Sequence, residues 1–125
     1  MLTGTIEAIG EVKKLENEGS NLHISISSDI TTQLKIDQSI AHDGVCLTVI
    51  AIDGKEYTVT AIDETLKKTN LGLLDKGSVI NLERCMQING RLDGHIVQGH
   101  IDTAGFCDKI EKQDGSWKFT FSYSS

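Results

Sequence analysis

The chain has 125 residues, with 18 acidic against 12 basic side chains, a formal net charge of -6 and a pI near 5.1. With 38% hydrophobic and 24% charged residues it reads as a globular protein with one core of ordinary size, or one small domain plus a fragment. The acidic balance argues against nucleic acid as a partner. No apolar run approaches the roughly 18–20 residues of a membrane span, and MLTGTIEAIG lacks the basic and apolar regions of a secretory signal.

Most of the chain reads as short β-strands. LHISIS, residues 22–27, alternates apolar Leu22, Ile24 and Ile26 with polar His23, Ser25 and Ser27, the period of a half-buried strand. DITTQLK, residues 29–35, is a candidate short helix with Asp29 as N-cap. Asp43-Gly44 lies between two strand-like runs and signals a hairpin. VCLTVIAI over 45–52 is rich in β-branched residues and reads as a well-buried strand; a second turn at Asp53-Gly54 returns the chain into YTVTAI. DETLKKTNLG over 63–72 is a second candidate helix. Asp63 caps it, acidic residues precede Lys67 and Lys68 in the order the helix dipole favours, and Gly72 falls just past its end. SVINLE over 78–83 is a further strand. The chain has no proline, so glycines provide most of the breaks. About six closely spaced strands and two short helices in the first ninety or so residues predict a small antiparallel barrel.

Displaced by 95 positions, residues 99–122 fall on residues 4–27. Gly99 meets Gly4, Ile101 meets Ile6, Gly105 meets Gly10, Lys109 meets Lys14 and Glu111 meets Glu16. Trp117, Phe119 and Phe121 take the phase of Leu22, Ile24 and Ile26. This self-similarity predicts one unit over 1–94 and the incomplete start of a second over 95–125, which a full copy would extend by about 65 residues. The three aromatics are expected to be covered by the first barrel, by another chain or by further sequence.

Cys46, Cys85 and Cys107 are widely and irregularly spaced, with no CxxC, and read as free thiols of a reducing cytosol; a cytoplasmic location follows as an expectation. Cys46 and Thr48 lie two apart on a predicted strand and share a face. From the residues alone Cys46 is a small buried thiol with no evident base to activate it. GHIVQGHID, residues 94–102, packs two histidines, two glycines and an aspartate together. His95 and His100 are five apart, on opposite faces of a strand or about 140° apart on a helix, and there is no HExxH. No metal site is expected, and a pair of polar loop histidines is the plain reading.

Five segments, MLTGTIEAIGEV, HDGVCLTV, DETLKKTNLG, VINLER and GRLDGHIVQGHID, stand in an order and spacing that resembles the riboflavin synthase family, over essentially the whole chain. The resemblance implies an all-β fold: a six-stranded antiparallel Greek-key barrel with two short helices, followed by the first strands of a second similar barrel. It implies dismutation of two molecules of 6,7-dimethyl-8-ribityllumazine to riboflavin and a pyrimidinedione, with no metal, flavin or nucleotide cofactor. It also implies a homotrimer whose sites form between barrels of neighbouring subunits. The alternative within the same resemblance is a non-catalytic lumazine- or flavin-binding protein.

By that resemblance Gly4, Thr5 and Ile6 form one wall of the substrate site and Cys46, Leu47 and Thr48 another. Thr60, Ala61, Ile62, Asp63, Glu64 and Thr65 hold the pteridine and ribityl groups. Cys46 and His100 are expected beside the reacting ring, His100 as hydrogen-bond donor or proton shuttle. His95 is expected to be structural, Ser39 to be a weaker polar contact, and Cys85 and Cys107 to be core or surface thiols. Leu2 stands where the family has Phe, and Thr5 where Ile is usual. A second GxSLTV-type motif does not occur in the 125 residues, so this chain alone is expected to bind one ligand per barrel with little or no turnover.

Overall fold

The computed structural model describes residues 2–85 and 101–124. Six strands, β1 (Ala8–Glu18), β2 (Asn21–Ser27), β3 (Ser39–His42), β4 (Val45–Asp53), β5 (Glu56–Ala61) and β6 (Val79–Arg84), close a barrel in the order β1-β2-β5-β4-β3-β6. Every neighbouring pair is antiparallel. β6 returns beside β3, outside the β3-β4-β5 meander, which is the Greek-key path. A short helix, α1 (Asp63–Lys68), lies in the connection from β5 to β6. Two further strands, β7 (Gly105–Gln113) and β8 (Ser116–Tyr123), make a separate two-stranded sheet. The predicted boundary at residue 94 lies outside the described residues.

Strand alternation builds the core. Val12, Ile24, Ile26, Ile40, Val49, Val59, Ile80 and Leu82 point into the barrel and are almost fully buried. Gly10 is required by this packing: a Cβ there would fall 2.6 Å from Ile26 Cγ2 and 2.9 Å from Leu82 Cδ1. The β3–β4 hairpin turns on Asp43 (φ 50) and Gly44 (φ 85), the two left-handed positions of the turn that Asp-Gly predicts. β4 corrects one expectation. Val45, Leu47 and Val49 are buried, but Thr48 and Ile50 face outward and are exposed. The strand is half-buried because the barrel has one dry face.

Both predicted helices are shorter than expected. Residues Asp29–Gln33 form a 3-10 turn capped by Ser28, whose Oγ accepts from the Ile30 amide at 3.5 Å, rather than by Asp29. α1 ends at Lys68; its N-cap position is Ile62, with no side-chain cap, while Asp63 pairs with Lys67 at 2.8 Å. Thr69 Oγ1 then accepts from the Leu71 amide at 3.2 Å and opens a 3-10 turn over Asn70–Leu73 that contains Gly72. The Thr69 hydroxyl also donates to the Thr65 carbonyl at 2.7 Å, a local partner that competes with continuation of α1.

One buried polar pair interrupts the apolar interior. His42 Nε2 and the Tyr57 hydroxyl lie 2.9 Å apart, and His42 Nδ1 has no hydrogen-bond partner. Burial lowers the His42 pKa from its ordinary 6.5 to about 4, and raises that of Tyr57.

The β7–β8 hairpin pairs in the register of β1–β2, displaced by 95 positions. Val12↔Ile26 corresponds to Cys107↔Phe121 and Leu15↔Ile24 to Ile110↔Phe119; the shift between Val12 and Lys14 recurs between Cys107 and Lys109. Its apolar face is nevertheless open. Trp117 is 60% exposed, Phe119 52% and Phe121 66%, so of the three coverings expected for them the first barrel is not the one.

Candidate functional site

β4 and β5 run antiparallel with Val49 opposite Val59, so the end of β5 lies beside the start of β4 and α1 begins there. A pocket of about 270 Å³ opens between them. Val45 and Cys46 line it from β4, and Glu64, Thr65 and Lys68 from α1; Thr69 and Ile101 complete it. A smaller hollow of about 200 Å³ shares Val45, Thr69 and Ile101 and runs on to Asp43 and Asn70. The pocket therefore lies at the end of the barrel beside the start of β4, taking Cys46 from the outward phase of that strand and Val45 from the inward one.

Cys46 carries the main electrostatic feature. Its Sγ lies 3.2 Å from Cys85 Sγ. Hydrogen bonding from the Cys85 thiol, with a smaller contribution from Ser39, outweighs burial and brings the Cys46 pKa down to about 6. The same contact with Cys46, together with burial, pushes Cys85 up. The two thiols thus hold one proton between them: the first ionisation is eased and the second opposed. On α1, Lys68 pairs with Glu64 at 2.8 Å, one turn apart.

Of the predicted site residues, Cys46, Glu64 and Thr65 come together in the pocket. Leu47 and Ala61 do not offer their side chains, because both are buried in the core by the alternation of β4 and β5. Thr48 is outward and exposed, opposite Ser39. Thr60 Oγ1 lies 2.7 Å from His23 Nδ1 and is tied to β2. Ile62 and Asp63 are exposed at the start of α1 and do not line the pocket.

Gly4, Thr5 and Ile6 lie in an exposed segment held by a buried carboxylate. Glu83 Oε2 accepts from the Thr3 amide at 2.8 Å and the Thr3 hydroxyl at 3.0 Å, and Oε1 accepts from the Gly4 amide at 3.1 Å. Glu83 pairs with Ala41, and Ala41 with Cys46. Two strand spacings, roughly 10 Å, therefore separate this anchor from Cys46. Leu2 is buried. His100 and His95 lie outside the described residues; Ile101, next in sequence to His100, lines the pocket.

Lys68, Thr69, Glu83 and Cys85 were not selected from the sequence. Lys68 and Thr69 stand four residues after Glu64 and Thr65, so helical spacing carried a signal for them. Glu83 gains its partners only when residues 3–4 fold over it, and Cys85 meets Cys46 only through barrel closure; neither leaves a local trace in the sequence. Among the described residues no three His, Cys, Asp or Glu side chains gather as a metal-binding group, and no helix is long and apolar enough to cross a membrane.

The model of the lumazine binding domain matches residues 3–85 of the chain. The chain belongs to the lumazine-binding domain family. Within that family it is similar to the riboflavin synthase of Bacillus amyloliquefaciens, 38% identical over 117 residues that cover 93% of this chain and 54% of that one. It is also similar to the riboflavin synthase of Actinobacillus pleuropneumoniae, 42% identical over 106 residues, covering 84% and 49%. The chain spans about half the length of the curated relatives it matches. Its fold matches that of LumP complexed with 6,7-dimethyl-8-(1'-D-ribityl) lumazine, with a TM-score of 0.88 over 99% of this chain and 69% of that one at 22% identity. LumP complexed with riboflavin matches with a TM-score of 0.80 over 91% and 62%, at 23% identity. At these identities the likeness to LumP is one of fold, and it agrees with the closed all-β lumazine-binding barrel.

Proposed function

We propose that the barrel binds one molecule of 6,7-dimethyl-8-ribityllumazine in the pocket between β4 and α1. We further propose that the chain serves the dismutation of two such molecules to riboflavin and a pyrimidinedione. The observation that carries this reading is the meeting of two distant segments at one site: Cys46 of GVCLTV and Thr65 of DETLKKT both line the pocket of a lumazine-binding barrel. Similarity to riboflavin synthases along 93% of the chain supports the reaction class.

The chemistry suits the residues. Val45 and Ile101 offer apolar surface to a flat ring, while the Thr65 and Thr69 hydroxyls and the Glu64–Lys68 pair offer donors and acceptors to a polyol. A volume of about 270 Å³ lies just below the usual range of ligand pockets, ~300 to ~1,000 Å³, so it has room for one ring system and not for a stacked pair. The second lumazine must then come from another barrel, in keeping with a homotrimer that shares its sites between subunits in the cytoplasm. The lumazine C7 methyl is acidic because its anion spreads over the ring, so the protein has to hold two rings together and move protons. Holding them removes much of the entropic barrier. A Cys46 thiol with its pKa near 6 can exchange a proton near neutral pH, and His100 is proposed as hydrogen-bond donor or proton shuttle.

Titrating the lumazine into the chain and following its fluorescence and the appearance of riboflavin absorbance tests this. One ligand per chain with little turnover is expected, and His100→Ala should weaken binding or slow the reaction. A chain that binds no lumazine would overturn the proposal; binding in an assembled, full-length relative of this chain without riboflavin formation would favour the carrier reading.

A further inference from the structure

We propose that Cys46 and Cys85 form a peroxide-oxidisable dithiol, and that its closure to a disulfide distorts the wall of the pocket between β4 and α1 and so gates binding there. The effect on binding rests on the ligand reading above; the oxidation chemistry does not.

The geometry sets the pair apart from ordinary core thiols. Both cysteines are only partly buried, and their sulfurs are 3.2 Å apart. A disulfide needs about 2.05 Å, so the sulfurs must close by about 1.2 Å, and because β3 lies between β4 and β6 the two backbones must also draw together. They reach each other across β3: Cys46 stands beside Ala41 from one side, and the Cys85 amide donates to the Ser39 carbonyl at 3.2 Å from the other. Cys46 also lines the pocket, so any bond at its sulfur changes the ligand wall. Its lowered pKa, due first to the Cys85 hydrogen bond, keeps a nucleophilic thiolate available at neutral pH. Cys107, exposed on β7, supplies an internal comparison.

With hydrogen peroxide the Cys46 thiolate attacks one oxygen; an S–O bond forms, the O–O bond breaks and hydroxide leaves, giving a sulfenic acid. Cys85 loses its proton to that hydroxide and attacks the Cys46 sulfur. The S–S bond forms, the S–O bond breaks and the second hydroxide leaves, taking a proton from water's buffer pool in place of the one Cys46 first gave up. Two thiols are oxidised by two electrons and one peroxide is reduced to two waters.

The test exposes the reduced chain to hydrogen peroxide at pH 7, alkylates the remaining thiols and maps tryptic peptides by mass. The expected product joins peptide 36–55, which holds Cys46, to peptide 85–91, which holds Cys85, before Cys107 is modified. In Cys85→Ser a Cys46 sulfenic acid should persist and be trapped by dimedone. Separate modification of Cys46 and Cys85 with no joined peptide, or reaction no faster than at Cys107, would overturn the dithiol. The lumazine is then titrated into reduced, oxidised and re-reduced chain. Affinity should fall at least about tenfold on oxidation and return with dithiothreitol. Equal affinity in both forms would overturn the gate and leave the dithiol standing. A reduced chain that binds no lumazine would overturn the ligand reading and the gate together, while the joined peptide still decides the dithiol.

Discussion

The β1–β2 and β7–β8 hairpins share a register, a bulge position and an alternation of apolar residues, yet one is the inside of a barrel and the other is open to solvent. The common part is local. A two-residue turn, a strand period of two and a bulge at the same place set which side chains face together. The differing part is non-local. β1–β2 is dry because β5, β4, β3 and β6 close over it, whereas β7–β8 pairs only with itself. Sequence pattern therefore builds an apolar face, and topology decides whether that face is buried.

The largest effect expected from this contrast is at paired positions of the two hairpins. Ile26 is 0% exposed and Phe121, its counterpart, 66%. Ile26→Ala should cost about 2–5 kcal/mol in urea unfolding through the cavity it leaves, whereas Phe121→Ala should change stability by less than about 0.5 kcal/mol. Equal losses would break the contrast.

Acid should act on the barrel alone. The unfolded His42 imidazole takes its proton near pH 6.5 and the folded one only near 4, so between these values the unfolded state binds more protons. Stability should be full above pH 6.5 and decline by about 3 kcal/mol as pH falls to 4 and just below. Urea midpoints at pH 7, 5.5 and 4 would read it, and His42→Gln should flatten that part of the profile. A decline of the same size in His42→Gln would assign it elsewhere.

A smaller effect separates Gly10 from its counterpart Gly105. A methyl at Gly10 meets two packed core side chains, while at Gly105 it meets the Ser122 carbonyl oxygen at 2.8 Å near the end of an exposed hairpin. Gly10→Ala should cost about 1–3 kcal/mol by overpacking, and Gly105→Ala less because that hairpin end can splay. A loss of about 1 kcal/mol is expected for Glu83→Gln. It should also speed amide exchange at Thr3 and Gly4, the groups Glu83 holds; unchanged exchange there would remove Glu83 as the anchor.

The same division explains what could be read in advance. The alternation of Leu22, Ile24 and Ile26, the Asp43-Gly44 turn and the strand phase of residues 117–121 are local signals, and the barrel was legible from them with the family resemblance. The helix ends were misread because Ser28 and Thr69 compete for the backbone more effectively than Asp29 and Gly72 suggested. Cys46, Glu64 and Thr65 were legible as motif residues. Leu47 and Ala61 shared those motifs, but their phase on the strand turns their side chains into the core. Glu83 acquires its partners only when the N-terminal segment folds over β6, 79 to 80 residues from Gly4 and Thr3, and Cys85 only when β6 closes against β3, 39 residues from Cys46.

The central claim is a lumazine site between β4 and α1, and calorimetric titration of 6,7-dimethyl-8-ribityllumazine into the wild-type chain and into Thr65→Val tests it most directly. The site as described predicts one ligand per wild-type chain and about tenfold weaker binding when the Thr65 hydroxyl is removed. Absence of saturable binding, or equal affinity in the two proteins, would contradict it.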